Sequence, residues 1–476
     1  MPYITYEQFG AVGDGRADDM DAIINAHEEA NRLGLPVRAK EGAAYYIAPK
    51  AKTAVIETDT DWSGASVIID DVGLDDIHKP VFDVPPKWEE AALPLKTLKA
   101  GQTRIENPSG RELLIFVENE NHKDYIRFGA NQNNGHSRTD VLLAAPDGSL
   151  STPVSFDFDE ITSVRAYVLG GKPLTLKGGC FKTIANQCES KYNYHARNIR
   201  IGRPYVTVTG VSHFVEGEPD HGAPYAGFIS INDTAHIRVE DCLFTGHRIY
   251  WTIGAANVPV PMGSYDINCA RSADVAFARC SQTTDIMDTG YWGLIGTNFC
   301  RELLLEDCVF SRFDAHMGVS FCTIRRCRLG WQCLNAIGFG KFTVEDTEAC
   351  GFAFVSLRGD YGCTWKGDFE IRNCVWRPLG GGRAIFRAEN NGRHDFGYTC
   401  YLPQNITVDG LKIETDGSEP VDKVYVINDW TKEDPSSVPY PMVPPKTVRM
   451  RNVTGAKGVE YCENGERRYG TDVEIG

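Results

Sequence analysis

The chain has 476 residues, 42% of them hydrophobic, and a formal net charge of −15. The length is ample for a large core, and the acidic balance disfavours nucleic acid or an anionic membrane surface as partner, since both need basic protein surfaces. Fifteen cysteines occur; no CxxC pair faces a second one, so a structural zinc is not expected, and five recur at one place of a repeat, where Cys serves as a small buried hydrophobe, so a disulfide framework is not expected either.

The chain opens with Phe9-Gly-Ala-Val-Gly-Asp-Gly15, then Ala17-Asp18-Asp19. The glycines mark a turn, and Asp18 or Asp19 can cap the helix that follows, roughly 19–33. Met20, Ile23, Ile24 and Ala26 give that helix an apolar side, and Gly34 and Pro36 end it. Met1-Pro-Tyr-Ile has no basic start with an apolar run behind it, and no stretch suits a membrane span. The expected location is cytoplasmic, or extracellular for a secreted chain that has been trimmed.

Tyr45-Tyr-Ile47 and Ser66-Val-Ile-Ile69 read as short strands. From 86 to 178 the style changes to longer strands such as Leu113–Val117, Val141–Leu143 and Val164–Val168, with turn signals such as Pro146-Asp-Gly148 between them. These predict an inserted antiparallel β unit that leans over the rest. Coils resume near Leu174.

A six-residue phrase then recurs. Ile237-Arg-Val-Glu-Asp-Cys242, Val275-Ala-Phe-Ala-Arg-Cys280, Leu303-Leu-Leu-Glu-Asp-Cys308, Cys322-Thr-Ile-Arg-Arg-Cys327, Phe342-Thr-Val-Glu-Asp-Thr347 and Phe369-Glu-Ile-Arg-Asn-Cys374 are its central copies. Val206–Val211 precedes them, and Ile406–Leu411 and Val448–Val453 follow. Apolar first and third places describe a strand with one buried face. The closest copies end 19 and 20 residues apart, at Cys308, Cys327 and Thr347. One strand phrase per repeat, with no room for a helix in each turn, predicts an all-β solenoid, a parallel β-helix. Its coils stack about 4.8 Å apart, so the sixth places form an internal ladder of small buried cysteines interrupted by Thr347. The tail carries Pro435, Pro439, Pro441, Pro444 and Pro445, an extended connection. The expected organisation is a cap and first coils over 1–85, the insert over 86–178, and the main β-helix over 179–476.

The opening heptapeptide, the Asp-Asp pair and the helix resemble the start of the pectate-lyase superfamily. That resemblance implies a single-stranded right-handed, pectin-lyase-like parallel β-helix. It does not choose a reaction, because hydrolases, lyases, epimerases and phage tailspikes share the opening.

Residues just past the ladder stack on one exterior face. His213 and Glu216 follow Val211, His247 and Arg248 follow Cys242, and Asp285 and Asp288 follow Cys280. Arg312, Asp314 and His316 follow Cys308, Asn335 follows Cys327, and Arg358 stands farther along. Tyr250, Trp251, Tyr291, Trp292 and Trp331 are interleaved with them. A lone Asp after a strand is usually a solvated turn residue. A cluster of carboxylates, imidazoles, guanidiniums and aromatic faces suits a sugar.

Arg312-Phe-Asp-Ala-His316 resembles the Phe-Asp-Pro-His motif of the alginate C5-epimerases, which implies that Asp314 and His316 are catalytic. Ala315 replaces the proline, Ser311-Arg312 stands where that family has Tyr-Gly, and its catalytic lysine has no counterpart that can be placed.

Three functions follow. The first is a glycoside hydrolase acting on a polysaccharide or oligosaccharide, with Asp285 or Asp288 paired with Asp314 roughly 5–10 Å away across adjacent coils. Mutual repulsion would then leave one acid and one base, with His316 tuning them. His247, Arg248, Arg312, Arg358, Tyr291, Trp292 and Trp331 would hold the sugar, with no cofactor. The alternative is a polysaccharide lyase or uronate C5-epimerase using His316 as base, with a cation or Ca²⁺ on the substrate carboxylate and the three Asp residues as Ca²⁺ ligands. The third is a non-catalytic, tailspike-like glycan-binding β-helix. Charged outward places favour a monomer over a trimeric shaft.

Overall fold

The structure, a computed structural model, describes residues 2–388, 396–415, 420–428, 442–463 and 470–476. It is a right-handed parallel β-helix with one amphipathic α-helix, Met20–Leu33, near its start. That helix buries Met20, Ile23, Ala26, His27 and Ala30, and Gly34 ends it in the left-handed conformation. Asp18 Oδ1 accepts from Met20 N–H, whereas the Asp19 carboxylate turns back to accept from Val12 and Gly13. The opening turn and the helix are thus tied through Asp19. Pro435, Pro439 and Pro441 lie outside the described residues.

Two compact units are present: Met1–Trp88 with Leu169–Ile253 and Pro259–Gly296, and Glu89–Val168 with Gly254–Val258 and Thr297–Gly476. In the first unit three parallel ladders run through successive coils. One joins Leu174–Lys177, Val206–Thr209, Ala235–Glu240 and Ala273–Ala278. A second joins Ala44–Ile47, Ser66–Asp70, Cys180–Ile184 and Ser212–Glu216, and a third joins Phe82–Val84, Ile199–Ile201, Ala226–Asn232 and Tyr265–Ala270.

The repeated phrase sets the register. Its third places stack as Val208, Val239 and Phe277 in the first unit, and as Leu305, Ile324, Val344, Ile371, Val408 and Met450 in the second. Its fifth place is a corner. Asp241, Arg279, Asp307, Arg326, Asp346, Asn373 and Asn452 all hold φ between 48° and 57° there, and Gly210 and Gly410 fill two further copies. Left-handed backbone is unfavourable for most L-residues, with Asn, Asp and Gly the common exceptions.

The sixth place supports that corner. The thiols of Cys242, Cys280, Cys308, Cys327 and Cys374 each donate back to the fourth-place carbonyl, at 3.1–3.4 Å. Thr347 does the same to Glu345 at 2.9 Å, so it continues the ladder chemically instead of interrupting it. Among the described residues, which include every cysteine, no disulfide forms.

Within the second unit, Leu113–Asp124, His136–Ala144 and Ser163–Val168 form an antiparallel sheet. Its apolar face, with Ile115, Val117, Leu142 and Phe156, packs on Met317, Ile337, Phe339 and Tyr361 of the coils. Arg301 pins the two together. Its guanidinium reaches the Asp140 carboxylate, donates to Thr152 Oγ1 at 2.6 Å and meets the Pro153 carbonyl, with both charged side chains buried.

Two stability outcomes follow, read by urea unfolding. Thr347→Val removes the donor to Glu345 and the acceptor for Cys327 N–H, and should destabilise by about 1–3 kcal/mol, whereas Thr347→Cys keeps most of the stability. Arg301→Met leaves Asp140 buried without its cation, and should lose about 3–5 kcal/mol, much of it recovered by adding Asp140→Leu.

Candidate functional site

Alternation along one strand builds the site. In Val309–Arg325, Phe313 and Ala315 fill the coil interior, so Arg312, Asp314 and His316 project from the opposite face. Parallel pairing aligns Asp314 with Asn335, Asn335 with Ser356, and Ser356 with Arg387 on consecutive coils. Beside that row opens a pocket of about 220 Å³, lined by Arg312, Trp331, Gln332, Asn335, Phe352 and Arg387 among others. Arg312 donates to Gln332 at 2.8 Å and to Asp314 at 2.6 Å, and Asp314 is 1% exposed.

His316, half-buried, lies two residues beyond Asp314 in the middle of the same strand. Its Nδ1 lies 2.8 Å from Asn298 Oδ1, and its Nε2 lies 3.4 Å from the Tyr361 hydroxyl. An amide oxygen only accepts, so Nδ1 carries the hydrogen and Nε2 presents its lone pair to the phenol. Desolvation lowers the His316 pKa to about 4. Arg358, Arg127 and Arg312 push the same way, and Asp314 opposes them.

The Tyr361 ring packs against two guanidiniums, Arg127 at 5.2 Å and Arg358 at 5.1 Å. Both arginines bind Asp360, Arg127 at 2.7 Å and Arg358 at 2.6 Å. Burial works against the charge on Asp360, but these two cations outweigh it and keep its carboxyl below the usual range. Burial raises the Tyr361 phenol, against the pull of both arginines.

Asp314, His316, Arg312, Arg358 and Trp331 therefore belong to the second unit, the first four around one charged cluster and Trp331 with Arg312 at the pocket. Arg127, Asn298, Asp360 and Tyr361 are members that sequence reasoning missed. Tyr361 was within reach of it, since it stands three residues after Arg358, which the sequence already picks out. Arg127 carried no signal, because it comes from the insert.

Asp285, Asp288, His247, Arg248, Tyr291 and Trp292 belong to the first unit. Asp285 and Asp288 are exposed and accept from the amides of Met287 and Gly290, closing their own turns. Arg248 is exposed, and Tyr291 and Trp292 are half-buried, with Trp292 N–H donating to the His247 carbonyl.

His247 is buried between two carboxylates that sequence reasoning also missed. Its Nδ1 lies 3.2 Å from Glu218, and its Nε2 lies 3.3 Å from Asp266. Asp266 is also bound by His213 at 2.7 Å, and Glu218 by the Tyr250 hydroxyl at 2.8 Å. Desolvation opposes the imidazolium, yet the two carboxylates outweigh it and raise His247 to about 9. Burial would raise Asp266, but His213 and His247 prevail and lower it to about 2. Among the described residues, no group of three or more His, Cys, Asp or Glu is arranged to hold a metal ion.

No protein-family model matches this sequence, and no curated protein matches it. Solved structures do resemble its fold. The tailspike gp61 of Pseudomonas phage phi297 superposes with a TM-score of 0.59 at 11% identity, over 99% of this chain and 84% of that one. The gp54 tailspike of Acinetobacter baumannii bacteriophage AP22, solved with A. baumannii capsular saccharide, gives 0.55 at 9% identity, over 99% and 79%. The Streptococcus pneumoniae surface protein and adhesin PfbA gives 0.51 at 12% identity, over 97% and 100%. At these identities the likeness is one of fold.

The His247 network makes a pH-dependent contribution. With a folded pKa of about 9 against 6.5 for an ordinary imidazole, that contribution is complete below pH 6.5 and lost as pH rises through 9. Asp266, lowered to about 2, adds stability above pH 4 that is lost on acidification through 2. The melting temperature should therefore fall between pH 6.5 and 9, and His247→Gln should flatten that slope.

Proposed function

We propose that this is a carbohydrate-active β-helix enzyme that removes the proton beside the carboxylate of a uronic acid in a polysaccharide, by lyase or epimerase chemistry. The observation that carries this reading is the His316–Tyr361 pair: an unprotonated imidazole nitrogen facing a phenol at 3.4 Å, with Arg127, Arg312 and Arg358 around it.

Abstraction from C5 of a uronate builds charge on the adjacent carboxylate. Guanidiniums stabilise that charge in a desolvated site. A substrate carboxylate would also offset the three cations that depress His316, and so strengthen it as a base once bound. Tyr361, on the same side as the base, would return a proton to the departing glycosidic oxygen in elimination, whereas epimerisation would need C5 reprotonated from the opposite face. The pocket beside Arg312 would take a neighbouring sugar, with Trp331 and Phe352 as stacking faces and Asn335 and Ser356 as polar contacts.

Hydrolysis asks for a carboxylic acid and a carboxylate flanking one bond. Asp314 is ion-paired with Arg312, Asp360 is held ionised by two arginines, and Asp285 and Asp288 close turns in the other unit. Those roles favour proton abstraction over hydrolysis. Capsular saccharide on the AP22 tailspike supports a polysaccharide as the ligand class for this fold.

The test is product analysis on uronate-containing glycans in deuterated water, with and without chelator. Expected are deuterium at C5 and either an ultraviolet-absorbing double bond or a changed epimer. Saturated reducing ends without deuterium would mean hydrolysis, and binding with no product would mean a glycan-recognition protein. Either result overturns the proposal. His316→Ala should lower kcat by about a hundredfold or more with the fold intact by circular dichroism. Since the free enzyme's base titrates near 4, kcat/KM should stay level from pH 7 to 5 and fall through pH 4.

A further inference from the structure

A second cavity of the same unit, about 70 Å³, lies between the insert and the coils. His122, Asp124 and Arg138 reach it from the insert strands, together with Phe156; Lys366 and Tyr401 reach it from the coil side. Neither the proposed chemistry nor the stacking pocket uses it.

Its charges do not balance. Arg138 is committed to Asp124, with donors at 2.8 and 3.1 Å, and it also lies 2.6 Å from His122 Nε2. That pair is neutral as a whole. Lys366 remains. Its ammonium lies over the Phe156 ring at 5.0 Å and the Tyr401 ring at 5.5 Å, and is partly withdrawn from water. Two aromatic faces offer quadrupole attraction and no acceptor for its three hydrogens. Burial, with Arg138 adding to it and Asp157 and Asp124 opposing, lowers the Lys366 pKa. An anion in the cavity would supply the missing acceptor and reverse that shift.

We infer that this cavity is an anion subsite in which Lys366, backed by Arg138 and walled by Phe156 and Tyr401, holds the carboxylate or sulfate substituent of an acidic saccharide. The volume accommodates one such group. The site would select acidic glycans over neutral ones of the same backbone. The inference rests on the uronate reading for the identity of the glycan, but its test is separate.

The experiment measures equilibrium binding of a uronate oligosaccharide and of inorganic sulfate to the full chain, with catalysis silenced by His316→Ala. Beside that protein stand the same chain with Lys366→Met and with Lys366→Arg, each checked for an unchanged melting curve. The expected result is saccharide binding weakened about tenfold or more by Lys366→Met and largely restored by Lys366→Arg, with sulfate competing. Carbon-13 shifts of reductively methylated Lys366 should also move its titration upward when the saccharide is added. Binding within twofold of the parent in Lys366→Met overturns the inference. So does Lys366-dependent binding of sulfate without any for the saccharide. Failure of His316→Ala to affect turnover would strike the proton-abstraction reading and leave this subsite standing.

Discussion

Among the described residues, six coils turn the same corner, and the corner is a hydrogen-bonded device. A residue in the left-handed region reverses the strand, and the next side chain donates back to the carbonyl two residues before it. Asp241 with Cys242, Asp307 with Cys308 and Asp346 with Thr347 are three copies of one arrangement. The donor must be small enough for a packed interior and polar enough to satisfy a buried carbonyl. Cysteine and threonine meet both demands. The charged corners are then joined across coils, as Arg279 is to Asp241 and Arg326 to Asp307. Exposed ion pairs of this kind add little individually, so register rests mainly on the corners and on the buried third places.

The arrangement of the charged cluster depends on that register. A one-residue slip would turn Asp314 and His316 inward and Phe313 and Ala315 outward. Because the register holds, Asp314, Asn335, Ser356 and Arg387 align although they are spread over 74 positions of sequence. The insert supplies what the coils lack. It covers Met317 and Tyr361 with apolar side chains, brings Arg127 to Asp360, and is fastened by Arg301. Withdrawal from water is what keeps His316 unprotonated and strengthens the local electrostatics.

Period and alternation made much of the architecture readable. The phrase ending at Cys308, Cys327 and Thr347 specified coil length, and the alternation in Arg312–His316 specified which side chains share a face. The second role of the sulfur was not readable, because a thiol donor is visible only once the corner has its conformation. The partners of His247 show a similar limit. Glu218 and Asp266 come from loops and strands whose spacing varies from coil to coil, so no fixed offset from the ladder leads to them. The turn roles of Asp285 and Asp288 were written locally, in Asp-x-Met-Asp-x-Gly, but the same residues fit a catalytic pair equally well until the backbone is seen.

The corner also bears on how such a chain can change over time. Its requirements occupy a few places per coil, and the connections between coils answer to none of them. Those connections can lengthen, shorten or acquire a whole sheet, as between Pro86 and Gly178, while the spiral beneath keeps its pitch. Two sequences can differ at nearly all positions while the winding persists, as with the tailspike that shares the fold at 11% identity.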